Sequence, residues 1–244
     1  MSEVRKIYFG RLLARIGVLI SCVIAKFRRP EWFDVLEGWS FFEEFSPLHL
    51  LWFVWMADML TQLFPFGKSI SIGSRKVFRK HYRPAEHMPA AEKLTAFSAK
   101  AQKGAVRVLI LWSLLIAVLC GFFYQKILDS GMLLLISAAF YVCDLICVLI
   151  WCPFRLIMGT RCCTTCRIFN WDHMMMFTPL LPVVGFFSVS LVVVSLIVLF
   201  FWEYRVKKHP EFFWEGTNKA LRCSACTDKL CIQYCGRRSR RKAC

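Results

Sequence analysis

Residues 105–150, AVRVLILWSLLIAVLCGFFYQKILDSGMLLLISAAFYVCDLICVLI, decide the fold class. From Ala105 to Phe123 the only charge is Arg107, and from Met132 to Ile150 it is Asp144. Each stretch is apolar on every side rather than along one stripe, which marks a helix surrounded by lipid or protein. Each also approaches the roughly 20 residues that a helix rising about 1.5 Å per residue needs to cross a 30 Å hydrocarbon layer. The polar break at Asp129–Gly131 is too short for anything but an antiparallel return. The stretch predicts a transmembrane hairpin over 105–151.

The rest of the chain extends this pattern. The 244 residues are 57% hydrophobic and 20% charged, with a mean hydropathy of +0.50. A soluble domain is roughly 45–50% apolar and about 25% charged. The excess falls in long runs, which excludes a soluble enzyme, a disordered chain and a small disulfide-stapled secreted domain. The expected fold class is all-α: a polytopic integral membrane bundle with four apolar segments, an N-terminal amphipathic or spanning helix, and a small Cys-rich extramembrane element. The net charge is +16, with basic residues flanking the apolar runs. That placement suits juxtamembrane contact with anionic lipid, so the lipid bilayer is the expected partner. Nucleic acid is not expected, because no stacking or groove-reading module accompanies the charge.

Seven segments follow from the punctuation. Residues 1–30 form a basic helix in which Arg11 and Arg15 interrupt the apolar run, so it lies in the interface or crosses with both arginines snorkelling. No small-residue cleavage pattern supports a signal peptide there. Residues 31–66 begin with an acidic, aromatic stretch (EWFDVLEGWSFFEEF, 31–45) and continue into an apolar span, Leu48 to Phe64. Residues 67–104 carry nine Lys/Arg against Glu86 and Glu92, which places this loop in the cytoplasm. After the 105–151 hairpin, 152–173 is a Cys-rich basic loop. Residues 174–202 are an apolar segment broken by Pro179, Pro182 and Gly185. Residues 203–244 form a tail with eleven Lys/Arg and four acids. One crossing by 174–202 would put that tail opposite the basic loop; a dip and return would put both on one side. The absence of an Asn-x-Ser/Thr site points to a bacterial inner membrane.

Thirteen cysteines are present, an odd count that argues against full disulfide pairing. Cys22, Cys120, Cys143, Cys147 and Cys152 lie in or beside apolar helices, where cysteine acts as a small hydrophobe. Two groups and the terminal Cys244 lie outside. Cys162, Cys163 and Cys166 read CCTTC, and Cys223, Cys226, Cys231 and Cys235 are spaced C-x2-C-x4-C-x3-C. A CxxC turn lets two thiolates face one ion, and two such turns make a tetrahedral four-thiolate site for zinc, iron or an iron–sulfur cluster. Neighbouring Lys and Arg favour the thiolate form. The first expected function is therefore a membrane metal or iron–sulfur redox protein. Its ligands are Cys163, Cys166, Cys223 and Cys226, with Cys231 and Cys235 as substitutes, and it exchanges electrons with a quinone or with a protein partner in a redox complex.

A CxxC beside a helix with a second Cys group also resembles, in organisation, the bacterial disulfide-generating quinone reductases and the vitamin K epoxide reductases. That resemblance implies a thiol–quinone oxidoreductase, with Cys163 and Cys166 next to the quinone and the tail as a shuttle. A third expectation is a non-catalytic scaffold subunit whose tail is stapled by zinc.

Asp58 and Asp144 fall inside spans. A carboxyl at that depth faces a partner, a cavity or a path. Arg11, Arg15 and Arg107 are the candidate partners, and the expected roles are a proton or ion relay, a headgroup site or a structural ion pair. His49 and His173 sit at span edges without a second haem ligand of matching depth. His81, His87 and His209 read as solvated, and Met174–Met176 as lipid-facing. Phosphate-loop, dinucleotide, serine-hydrolase and zinc-protease motifs are absent from the sequence.

Overall fold

A computed structural model describes residues 3–63, 82–87, 89–160 and 166–222. The described residues form helices α1 (Glu3–Arg28), α2 (Leu48–Leu63), α3 (Ala91–Tyr124), α4 (Ser130–Leu149), α5 (Phe154–Met158), α6 (Asp172–Phe177) and α7 (Phe186–Lys208). Short 3₁₀ turns and two isolated backbone bridges join them, and no longer strand occurs among the described residues. Four helices (α1, α3, α4 and α7) are long and apolar enough to cross a membrane.

The hairpin forms as expected, with longer arms. α3 begins fourteen residues before Ala105 because the stretch from Ala91 to Gly104 continues the helix. α4 starts at Ser130, where the Asp129 carboxylate accepts a hydrogen bond of 2.7 Å from the Met132 amide. α2 begins at Leu48 as expected, and its 16 described residues reach about 24 Å.

The arginines do not break α1. It is continuous and lies antiparallel along α4. Lys26 pairs with Asp129 at 2.8 Å at one end, Arg15 reaches Tyr141 and Asp144 in the middle, and Tyr8 and Leu12 pack on Leu145, Val148 and Leu149 at the other. Residues 29–47, 125–129 and 181–185 gather at the end marked by Lys26 and Asp129, here the turn end.

The proline-broken run goes up and comes back. α6 gives way to a 3₁₀ turn at Thr178–Leu180, because Pro179 and Pro182 lack the amide hydrogens a longer helix would use. At the turn end the Gly38 amide donates to Val184 O (2.9 Å) and the Phe186 amide donates to Gly38 O (3.1 Å). Gly38 holds φ +58°, and a Cβ on Gly185 would meet Leu36 O at 2.2 Å, so the crossing uses the freedom of the first glycine and the small size of the second. α7 then descends. Trp52 donates to Ser190 Oγ (2.8 Å) near its start, and Arg167 and Trp171 bind Glu203 near its end. Both ends of the 174–202 run therefore face the same way. Residues 82–87, 150–160, 166–171 and 209–222 meet at this loop end, where Ala85 N donates to Thr217 O (3.0 Å) and Lys219 N to Arg83 O (2.7 Å).

The core is built on Trp55, Met59, Leu133, Leu134, Phe177, Phe187 and Trp202, all below 2% exposed. Met174, Met175 and Met176 are also buried, against the lipid-facing position expected for them. The break after α6 turns all three toward the interior, where flexible thioethers fill the irregular space between α3, α4 and α7.

Candidate functional site

A charge cluster sits in the middle of the bundle. Arg15 of α1 donates to the Asp144 carboxylate of α4 at 2.8 Å and to Tyr141 O at 2.7 Å, and its guanidinium lies 3.7 Å from the centre of the Tyr141 ring. Asp58 of α2 is 3.6 Å from the same guanidinium. Both sequence-flagged carboxyls therefore share one of the arginines expected to pair with them, whereas Arg107 lies exposed on α3. The remaining members carry no sequence pattern of their own. His173 at 3% exposure stands between Asp58, 3.4 Å from Nε2, and Asp172, 3.3 Å from Nδ1. Gln62 donates to Asp172 at 3.0 Å. The ring is held within ion-pair reach of both acids. Three carboxyls face one guanidinium and one imidazole, so the cluster becomes neutral only by holding two protons among its members.

Two voids flank the cluster. One is a cleft of about 760 Å³ between α1 and α2, lined by Arg11, Arg15, Asp58, Thr61 and Tyr141 and reaching Trp32 and Pro47 at the turn end. The other is a cavity of about 380 Å³ toward the loop end. Its walls are rings: Trp112, Phe140, Trp151, Phe154 and Phe169. Asp144, Asp172 and four cysteines (Cys143, Cys147, Cys152 and Cys166) also line it.

Two of those thiols touch. α4 ends because Ile150 N and Trp151 N both donate to Ile146 O (2.8 and 3.1 Å), which tightens the last turn, and Pro153 prevents continuation. The chain folds back and sets Cys152 against Cys147, which share a side-chain hydrogen bond. Both are thiols rather than halves of a disulfide. The sequence placed them among the packing cysteines; the only available signal was a five-residue separation across a helix end.

Of the six cysteines expected as metal ligands, only Cys166 is described; Cys163, Cys223, Cys226, Cys231 and Cys235 lie outside the described residues. Among the described residues no three His, Cys, Asp or Glu side chains gather as a metal site. Cys166 lines a second loop-end cleft of about 910 Å³ together with Lys100, Arg167, Lys207 and Leu221. That cleft is larger, but Arg167 and Glu203 within it are joined as an ion pair. His49 is engaged locally by Ser46 and Phe41 O, His209 pairs with Glu211 at 3.1 Å, and His87 is exposed. His81 lies outside the described residues. Comparison with protein families, characterised proteins and solved structures gives no match.

Proposed function

We propose that the chain is an integral membrane thiol oxidoreductase, inserted with its basic loop end in the cytoplasm, in which the Cys147–Cys152 dithiol reduces a flat apolar acceptor of the quinone class. The carrying observation is the contact of these two thiols beside a cavity walled by five aromatic rings. Aromatic walls stack on a planar ring and keep water out. The two thiols lose two electrons and two protons and form one S–S bond; the quinone takes up both pairs and becomes a hydroquinone. Asp144 and Asp172 at the cavity wall supply carboxylates that accept a thiol proton and return it to a quinone oxygen. Cys166 lines both this cavity and the loop-end cleft, so it is the entry point for electrons from cytoplasmic thiols by thiol–disulfide exchange. This direction of flow suits a reducing compartment, which supplies the electrons. The pair nearest the acceptor is then Cys147 and Cys152 rather than Cys163 and Cys166.

The test is anaerobic mixing of the reduced, detergent-purified protein with a decyl-quinone. One quinone should be reduced per chain, with a Cys147–Cys152 disulfide found by peptide mass spectrometry. Cys147→Ser and Cys152→Ser should each lose at least tenfold in rate, and Cys22→Ser should not. A wild-type protein that reduces no quinone and keeps both thiols free refutes the assignment.

The loop end favours a second function. Cys166 and Leu221, two residues before Cys223, line one cleft, which supports a shared site on Cys163, Cys166, Cys223 and Cys226. A zinc or iron–sulfur centre there would staple the tail or pass electrons to the dithiol. Iron and zinc analysis of the same preparation decides it: a stoichiometric metal supports the centre, and a metal-free folded protein removes it.

A further inference from the structure

The α1/α2 cleft and the thiol cavity do not meet, yet each ends on a carboxyl of the same cluster. Asp58 lines the cleft, Asp172 lines the cavity, and His173 stands between them at 3.4 and 3.3 Å. The cavity lies toward the loop end, and the cleft runs to Trp32 and Pro47 at the turn end. We infer that Asp172, His173 and Asp58 form a proton relay through the middle of the bundle, linking the thiol cavity on one side of the membrane to the α1/α2 cleft on the other. The inference rests on the thiol–quinone function for the driving reaction, not for the path.

Imidazole is suited to this place because one nitrogen can accept a proton while the other releases one. A thiol proton on the Asp172 carboxyl passes to Nδ1 in place of its return to the quinone, whose oxygen takes the replacing proton from the loop-end side; the proton on Nε2 leaves to the Asp58 carboxylate, and the ring returns to its first tautomer by rotating or by exchange with water. No electron moves in these steps and the cluster keeps its total charge.

The surrounding charges define the path. Arg15 of α1 is 3.6 Å from Asp58 and 2.8 Å from Asp144 of α4, Arg11 of α1 lines the cleft beside Asp58, and Gln62 of α2 fixes Asp172 at 3.0 Å. The guanidinium of Arg15 carries a charge it does not release, so it holds the acids in place without itself passing a proton. Arg15 and Gln62 are positioning residues, and Asp172, His173 and Asp58 are the carriers.

The experiment uses the full chain in liposomes loaded with a pH-sensitive dye, with dithiothreitol outside and a decyl-quinone in the bilayer. Dithiol oxidation by a quinone releases no net protons, so any internal pH change reports protons moved across the bilayer. Wild type should change the internal pH in step with quinone reduction. His173→Gln and Asp172→Asn should lower protons moved per electron at least fivefold. An unchanged ratio in both variants overturns the relay while leaving the oxidoreductase standing. If wild type reduces no quinone, the oxidoreductase fails and the path is read by itself as proton conductance driven by a potassium diffusion potential. There too a fivefold drop in His173→Gln and Asp172→Asn supports the relay, and conductance equal to wild type overturns it.

Discussion

Arg15 is the residue on which the interior depends most. Its guanidinium satisfies Asp144, approaches Asp58 and lies over the Tyr141 ring, all from a helix whose sequence looks too interrupted to enter a bundle. Removing one partner of a buried pair leaves the other charged and unpaired, at a cost of about 3–5 kcal/mol. Arg15→Met should therefore lower the thermal unfolding temperature in detergent far more than Arg11→Met, whose parent side chain lines the open cleft. The double replacement Arg15→Met with Asp144→Leu should recover part of the loss, since Asp144 then leaves no unpaired carboxylate while Asp58 keeps His173 within 3.4 Å. A double variant as unstable as the single one would show that Arg15 acts through some other contact. The sequence identified Arg11, Arg15 and Arg107 as equal candidates. The choice among them was unreadable because it depends on which face of α1 meets α4.

At the scale of elements, the junction of α1, α3 and α4 is tied by Asp129. Its carboxylate caps α4 and pairs with Lys26, which joins three helices at the turn end. Partial burial opposes its ionisation, but the Lys26 ammonium and the amides of Met132 and Gly131 outweigh burial and hold the carboxyl below the usual range. A carboxyl lowered on folding stabilises fully above its unfolded value of about 4 and loses that contribution as pH falls through the folded one. Asp129→Ala should cost about 0.5–2 kcal/mol at pH 7 for the lost cap. The gap to wild type should narrow below about pH 4, read as unfolding temperature against pH. A gap that stays constant down to pH 2 would mean the charge contributes nothing. A second tie at this scale is the glycine crossing. Gly185→Ala forces a methyl onto the Leu36 carbonyl and should destabilise by about 1–3 kcal/mol, measured by thermal unfolding.

For the whole molecule, the turned-back run puts the Cys166 loop and residues 209–222 at one end and the 125–129 turn at the other. In sealed vesicles an impermeant maleimide should reach Lys219→Cys and Lys126→Cys from opposite sides, with Lys219→Cys on the cytoplasmic side. Labelling of both from one side would refute the orientation. The loop end collects Lys100, Arg155, Arg167, Lys207 and Arg222, which is the side that basic residues select.

What the sequence by itself determined is the class of fold and the position of its elements. Runs such as 105–123 and 132–150 have too many apolar side chains and too few charges to be anything but helices of membrane-crossing length and composition, and that is a local property of composition and period. Two further facts required the folded chain. The return of 174–202 depends on Gly38 receiving Gly185 from nearly 150 residues away, a contact no window of sequence contains. The gathering of Asp58, Asp144, Asp172, His173 and Arg15 depends on how four elements rotate about their axes, because a residue three or four positions along a helix is a neighbour while its partner on another helix is set only by packing. The touching thiols at Cys147 and Cys152 were hidden for the same reason: a five-residue spacing joins two side chains only where the helix stops, and the stop is made by backbone geometry around Ile146 rather than by the cysteines themselves.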